Sequence, residues 1–200
     1  MAFISKGNTK LGKIPNVSLP PVVTCNGCEN TCSHKCYAQK FYKMWPTVRK
    51  AWDTNWAEYQ EDSTGFFLSI REQLRKSKPR FFRWHVGGDV PDYNYFSGIV
   101  VTAEELPNTK FLLFTKQYDI VNKWVAANGI GALPNNLQLV FSMWPGVEVD
   151  NPYGFKCAWM QDGTETRVPE SAFECGGSCV DCSACFSLNK IDRDVVFHVH

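Results

Sequence analysis

Eight of the nine cysteines in this 200-residue chain fall into two compact groups. The first cysteine group is Cys25, Cys28, Cys32 and Cys36, and the second cysteine group is Cys175, Cys179, Cys182 and Cys185. Because each group is short, little loop-closure entropy is lost when its four thiolates converge on one metal centre. The sequence therefore predicts two metal centres, for which iron–sulfur clusters are the first hypothesis and zinc is the alternative.

The spacing within the groups bears on which metal is bound. Four clustered cysteines suit a [4Fe–4S] cluster, because each iron takes one external thiolate. Zinc sites built from four cysteines more often join two separated Cys-x2-Cys pairs, and each group supplies one such pair. A disulfide framework is disfavoured, because the cysteine count is odd and the groups are unusually dense. The ninth cysteine, Cys157, is interpreted as a buried small apolar residue, with a role as substitute ligand as the alternative.

Helical and strand-like periodicities alternate along the chain between the two groups. Helices are predicted over residues 47–59, 64–77, 94–106 and 119–128, with Thr47 and Asp119 as caps of the first and last. Strands are predicted over residues 81–86, 110–115, 137–143 and 195–199, so that His198 and His200 are surface residues at a strand end.

Such alternation predicts an α/β fold built from βαβ units around a parallel sheet. The chain is shorter than the roughly 250 residues of a full eight-fold barrel, so we expect a small or partial (β/α) barrel. A single domain is predicted, in which βα units over residues 46–150 lie between Cys-rich segments at 1–45 and 151–200.

Polar turns follow three of the predicted strands, and parallel strands bring such turns to one edge. The turns are Gly87-Gly88-Asp89, Thr115-Lys116-Gln117 and Ser142-Met143-Trp144. In the predicted strand before Gly87, Arg83 and His85 alternate with Trp84. We therefore expect their side chains to face the side of the sheet opposite to Trp84. Together with Lys116 they are predicted to form a cationic pocket for an anionic small molecule.

The charge distribution and the apolar content of the chain indicate its binding partners and its compartment. Residues 1–50 carry eight Lys or Arg and one acidic residue, which offset the anionic charge of a thiolate-bound cluster or contact phosphate or nucleic acid. A transmembrane run of about 18 apolar residues and a secretory leader are both absent from the pattern, so no membrane contact is expected. The lack of a secretory leader favours a reducing cytoplasm, where thiols stay free to bind metal.

Three motifs stand out in the sequence: Cys32-x3-Cys36-Tyr37-Ala38, Phe82-Arg83-Trp84-His85-Val86-Gly87-Gly88-Asp89 and Phe114-Thr115-Lys116. In these motifs the chain resembles the phage-encoded gene-product-eighty-eight-like family. The resemblance begins near Thr24 and extends to the Cys-rich tail. It implies a shortened radical S-adenosylmethionine (radical SAM) scaffold and, for a phage protein, the host cytoplasm. It implies no particular reaction, and it assigns no catalytic residue.

Within that resemblance, Cys28 is an extra thiol beside Cys25, Cys32 and Cys36. Three thiolates leave one iron open for S-adenosylmethionine, whereas four thiolates close the cluster and favour electron transfer or structure. The Gly87-Gly88-Asp89 turn resembles the Gly-Gly-Glu turn that holds the amino group of S-adenosylmethionine. An ordinary strand-ending turn is the alternative.

Three hypotheses follow for function. The first is an iron–sulfur protein with two [4Fe–4S] clusters and radical-SAM-like or other redox chemistry, in which His85, Gly87, Gly88, Asp89 and Lys116 line the site. The second is a non-enzymatic protein that exchanges electrons with a donor or acceptor, or that uses its clusters as structural staples. The third is a zinc-stapled module that binds nucleic acid through the basic first 50 residues.

Overall fold

A seven-stranded sheet organises the chain, and all its strand pairs are parallel. The computed structural model describes residues 1–28 and 32–198, without the side chain of Val180. The strands are β1 (Asn16–Val17), β2 (Phe81–Trp84), β3 (Lys110–Thr115), β4 (Leu137–Met143), β5 (Lys156–Gln161), β6 (Phe173–Glu174) and β7 (Val195–His198). Their spatial order is β1-β2-β3-β4-β5-β7-β6, so the first five strands follow chain order as in a partial (β/α) barrel. The predicted α/β fold class is confirmed.

Helices alternate with the strands as the periodicity predicts. They are α1 (Tyr37–Met44), α2 (Pro46–Glu61), α3 (Ser63–Ser77), α4 (Tyr93–Glu105), α5 (Tyr118–Asn128), α6 (Cys179–Cys182) and α7 (Leu188–Ile191). The four predicted helices correspond to α2 through α5, and the predicted strands 110–115 and 137–143 match β3 and β4. The last predicted strand is β7, but its continuation to Val199 and the surface position of His200 lie outside the described residues.

Both predicted helix caps are wrong. Helix α2 begins at Pro46, one residue before Thr47, because proline lacks an N–H and its fixed φ suits the first helical position. Helix α5 is preceded by Gln117, which places Asp119 inside the first turn. There its carboxylate still interacts favourably with the positive end of the helix dipole.

Strand β2 ends two residues earlier than the predicted 81–86. His85 adopts a left-handed backbone conformation with φ of 59°, which breaks the alternation of side chains after Trp84. The imidazole is consequently buried beside Tyr95 in α4, with 3.1 Å between its Nε2 and the tyrosine hydroxyl. His85 therefore does not share a sheet face with Arg83 as predicted.

Two apolar cores cover the two faces of the sheet, as a parallel sheet requires. On one face, Phe82, Trp84 and Phe111 pack in the main core with side chains from α2 through α5. On the other face, the intervening residues, such as Leu112 of β3 and Val140 of β4, pack in a second core. That core is completed by the segment before β1 and by the C-terminal segment, through Leu11, Ile14, Phe186 and Leu188.

Candidate metal centre

All four thiols of the first cysteine group line one cavity at the carboxyl edge of the sheet. The cavity has a volume of about 120 Å³. The loop between β1 and α1 supplies the cysteines, and the turns after β2 and β3 complete the wall. Among the lining residues are Cys25, Cys28, Cys32, Cys36, Tyr37, Gly87, Gly88, Asp89, Lys116, Gln117 and Tyr118. The structure thus brings together the first cysteine group, the glycine turn and Lys116, while His85 is not among the lining residues.

Hydrogen bonds tie the cysteine loop to the turns that follow the neighbouring strands. The side-chain amide of Gln117 donates to the carbonyl of Asn26 at 2.9 Å, and the Asn26 amide donates to the carbonyl of Pro91 at 3.0 Å. The hydroxyl of Tyr37, at the start of α1, donates to the carbonyl of Val86 at 2.8 Å. These contacts hold the loop over the sheet edge.

The two glycines of the turn after β2 lie where a side chain would collide with the cysteine loop and α2. A Cβ atom on Gly87 would lie 2.3 Å from the ring of Trp52. On Gly88 it would lie 2.7 Å from both the carbonyl oxygen of Leu19 and the hydroxyl oxygen of Thr24, and Gly88 also has φ of 76°. Gly87 therefore allows close packing of α2 through Trp52, and Gly88 allows close approach of the segment that leads to Cys25.

We expect Gly88→Ala to lower the free energy of unfolding by about 2–4 kcal/mol, since it adds steric overlap to a left-handed backbone. Gly146→Ala is the matched control, because Gly146 has φ of 75° but no neighbour within 4 Å of an added Cβ. It should cost about 1 kcal/mol, from the backbone conformation alone. Urea denaturation of both variants measures the difference, and equal losses would show that the close approach is unimportant.

The carboxylate of Asp89 joins the carboxyl ends of β2 and β3. Its Oδ1 accepts hydrogen bonds from the Val90 N–H at 2.8 Å and the Thr115 hydroxyl at 2.6 Å. Its Oδ2 accepts a bond from the Lys116 N–H at 2.8 Å. The side chain is buried, and that burial raises the pKa of Asp89 against the opposing effects of Lys116 and these bonds. Three of about four acceptor positions are occupied by the protein itself.

Lys116 provides positive charge in the cavity wall. Burial by itself would lower the pKa of the Lys116 ammonium, but Cys32, Asp89, Tyr37 and Cys25 outweigh it and raise the pKa. Its Nζ also lies 5.3 Å from the centre of the Trp144 ring, in a cation–π contact. Lys116, which is half-buried as a residue, thus brings a positive charge to the wall of the cavity.

Burial keeps the cysteine next to Asp89 in its neutral form. It raises the pKa of Cys25 to about 12, with a further contribution from the nearby Asp89 carboxylate. Binding of a metal cation reverses this preference, because the cation stabilises the thiolate and displaces the proton.

The second cysteine group lies on the opposite face of the sheet, away from this cavity. Cys175, Cys179 and Cys185 pack in the second core, whereas Cys182 is exposed. Burial raises the pKa of Cys185 to about 12, and that of Cys179 is also raised. Arg83 opposes both shifts, so this group has a cationic neighbour of its own.

The predicted cationic pocket is not formed. The guanidinium of Arg83 lies over the ring of Phe114 at 4.9 Å, on the side of the second cysteine group. His85 is buried on the other side, and desolvation followed by the charge of Arg83 lowers its pKa to about 3, so the imidazole is neutral. Of the three predicted residues, Lys116 alone lines the cavity.

The remaining cysteine belongs to the main core. Cys157 lies in β5, where its thiol contacts the carbonyl of Phe155 at 3.5 Å and the amide of Asn151 at 3.8 Å. Its position apart from both groups agrees with the interpretation as a buried small residue.

The first cysteine group supplies the four thiols that a cluster needs, but within the described residues these thiols are not arranged around a common metal position. None of the nine cysteines, all of which lie among the described residues, forms a disulfide. Over residues 1–28 and 32–198, no three Cys, His, Asp or Glu side chains are arranged to hold a metal ion. The donor chemistry nevertheless fits a thiolate-bound cluster, since four thiols share one cavity with a cation.

Two aromatic residues of the cavity wall were not predicted from the sequence. Tyr37 directly follows Cys36, and Tyr118 directly follows the Thr115-Lys116-Gln117 turn. The hydroxyl of Tyr118 donates a hydrogen bond to the carbonyl of Ser142, which links the carboxyl ends of β3 and β4. Their position beside predicted site residues was the available signal.

Fold and site together define an α/β protein with a cysteine-lined cavity at the carboxyl edge of a parallel sheet. The chain belongs to the family described as Gene product 88, whose family model matches residues 2–145. That region contains the first cysteine group and both cavity turns, and the second cysteine group follows it. Neither the curated proteins nor the solved structures contain a match to the chain. Within the described part, no helix has the length and apolar character needed to cross a membrane.

Proposed function

We propose that this chain is an iron–sulfur protein whose first cysteine group holds a [4Fe–4S] cluster at the carboxyl edge of the sheet. The observation that supports this most directly is that all four thiols line the same cavity as Lys116 and the glycine turn. A cavity with four soft ligands and one cation suits an anionic thiolate-bound cluster. We propose that the second cysteine group holds a second cluster, beside Arg83 on the other face of the sheet.

The residues around the first group suggest where a small molecule would bind. The Lys116 ammonium would pair with an anionic group such as a carboxylate. Asp89 would accept about one more hydrogen bond, for example from an amino group, while it continues to hold the two turns together. S-adenosylmethionine carries both groups, and a cluster held by Cys25, Cys32 and Cys36 would, once reduced, supply an electron for redox chemistry on it. Such chemistry requires a reducing compartment such as the host cytoplasm.

A non-enzymatic role is the second candidate, and Cys28 favours it. This thiol is buried and lines the cavity with the other three, so four thiolates are available to close the cluster. A closed cluster transfers electrons or stabilises the fold, and it leaves no iron for a small molecule. The two candidates therefore differ in whether Cys28 is a ligand.

Metal analysis of protein prepared without oxygen tests the proposal. We expect about eight iron and eight sulfide per chain, or about four of each if only one group is occupied. Zinc without sulfide would overturn the proposal in favour of a zinc-stapled protein.

Electron paramagnetic resonance of the reduced protein separates the two candidates. If one iron is open, S-adenosylmethionine changes the spectrum of the wild-type protein. If Cys28 closes the cluster, S-adenosylmethionine does not change the spectrum of the wild-type protein and changes only that of Cys28→Ala. Cys157→Ser is the matched control, because Cys157 is a buried thiol outside both groups. A spectrum that never responds, in any variant, would exclude the binding of S-adenosylmethionine.

A further inference from the structure

An exposed row of apolar side chains lies along α1, next to the cysteine-lined cavity. We call it the α1 surface, and it consists of Tyr37, Phe41, Met44 and Trp45, each between 43% and 55% exposed. Tyr37 also belongs to the cavity wall, and its ring centre lies 6.3 Å from that of Phe41. Because helical residues three or four apart share a face, Tyr37, Phe41 and Met44 form a continuous strip. Ala38, on another face, is buried against α2.

The segment that carries this surface is rich in basic residues and has no acidic residue of its own. Residues 32–50 contain five Lys or Arg and neither Asp nor Glu. Lys35 is paired with Asp162 at 3.3 Å, but the other four are exposed and form no ion pair with any described residue. Those four are Lys40, Lys43, Arg49 and Lys50. Two of them belong to α1 itself, so exposed cations and exposed rings occur together on one short helix.

We propose that the α1 surface binds single-stranded nucleic acid. Bases would stack on Tyr37, Phe41 and Trp45, and Lys40 and Lys43 would neutralise phosphates. Every base offers a face for stacking, so this arrangement binds strands with little sequence preference.

The composition of the surface favours nucleic acid over a protein partner. Protein interfaces share the aromatic enrichment of this surface but are depleted in lysine, whereas lysine is a common phosphate ligand. The proposal requires no metal centre, so it stands independently of the proposed iron–sulfur function. If the proposed iron–sulfur function is also correct, a nucleotide is the class of substrate that would reach the cavity. The reason is that Tyr37 belongs both to the α1 surface and to the cavity wall.

Fluorescence anisotropy with a labelled 20-nucleotide oligothymidylate tests the proposal on the full-length protein, prepared without oxygen. We expect binding at low salt and roughly tenfold weaker affinity for Phe41→Ala, from the loss of one stacked base. For Lys40→Gln we expect the slope of log affinity against log salt to fall by about 0.7, from the loss of one phosphate contact. Phe41 is exposed, so its replacement should leave thermal unfolding unchanged.

Matched controls lie elsewhere on the surface. Leu68→Ala removes an exposed apolar side chain from α3, and Lys123→Gln removes an exposed charge from α5. Neither should alter the binding. The proposal is overturned if the oligonucleotide does not bind, or if the controls weaken binding as much as Phe41→Ala does. The proposal is also overturned if a duplex binds as tightly as the single strand and Phe41→Ala does not weaken that binding, because charge alone would then explain the attraction. Binding of an acidic protein without binding of the oligonucleotide would likewise contradict it.

Discussion

Replacement of Cys32 by Ala is expected to remove the metal of the first cysteine group. The iron content should fall from about eight to about four per chain, because both candidate functions require Cys25, Cys32 and Cys36 as ligands and a cubane without one of these three thiolates is readily lost. Cys32 is buried and lines the cavity, so water substitutes poorly for its sulfur. Iron and sulfide assays on freshly prepared protein measure the change. If Cys32→Ala retains its full iron, the first cysteine group does not hold a cluster.

Two further variants make this result specific to one site. Cys179→Ala, in the second cysteine group, should lose a comparable amount of iron while the signal of the first cluster remains. Cys157→Ser should lose none, because its thiol contacts Phe155 and Asn151 within the main core. Circular dichroism of each variant separates loss of metal from loss of fold. Equal losses in all three variants would indicate general unfolding in place of ligand removal.

The central part of the fold could be predicted because its signals are strong and local. Strand β3 is a run of six residues, five of them apolar or β-branched, and α3 repeats Phe66, Ile70 and Leu74 every four residues. The ends of the sheet could not be predicted in this way. β1 and β6 have two residues each, too few for a period, and their pairing depends on neighbouring strands. Strand β5, which contains Cys157, is not among the strands predicted from the sequence.

The candidate site was predictable where chain order and sheet geometry determine it. Parallel strands bring the turns after β2 and β3 to one edge, and the sequence indicated Gly88 and Lys116 there. His85 was misplaced because the prediction continued the strand alternation through a residue with positive φ. A backbone conformation of that kind depends on tertiary packing, here beside Tyr95, and leaves no periodic signal. The periodicity of the sequence likewise could not show which face of the sheet carries the second cysteine group.

Asp89→Asn is expected to lower the free energy of unfolding by about 2–4 kcal/mol, although the two side chains have nearly the same shape. The carboxylate faces donors only, namely two backbone N–H groups and the Thr115 hydroxyl. An amide nitrogen at the Oδ2 position would face the Lys116 N–H, donor against donor, and the flipped amide would face the Val90 N–H instead. Either orientation leaves a buried backbone N–H without an acceptor, and the charge opposite Lys116 is lost as well.

The matched control for this substitution is Asp192→Asn. Asp192 pairs with Lys156 at 2.5 Å but is highly exposed, and its φ of 51° is one that asparagine tolerates well. Because surface ion pairs contribute little to stability, this variant should unfold at nearly the wild-type urea concentration. A comparable small change for Asp89→Asn would mean that the carboxylate is not what joins the carboxyl ends of β2 and β3. A large loss confined to Asp89→Asn would show that one buried side chain holds the two cavity turns in register, whichever metal the cysteines bind.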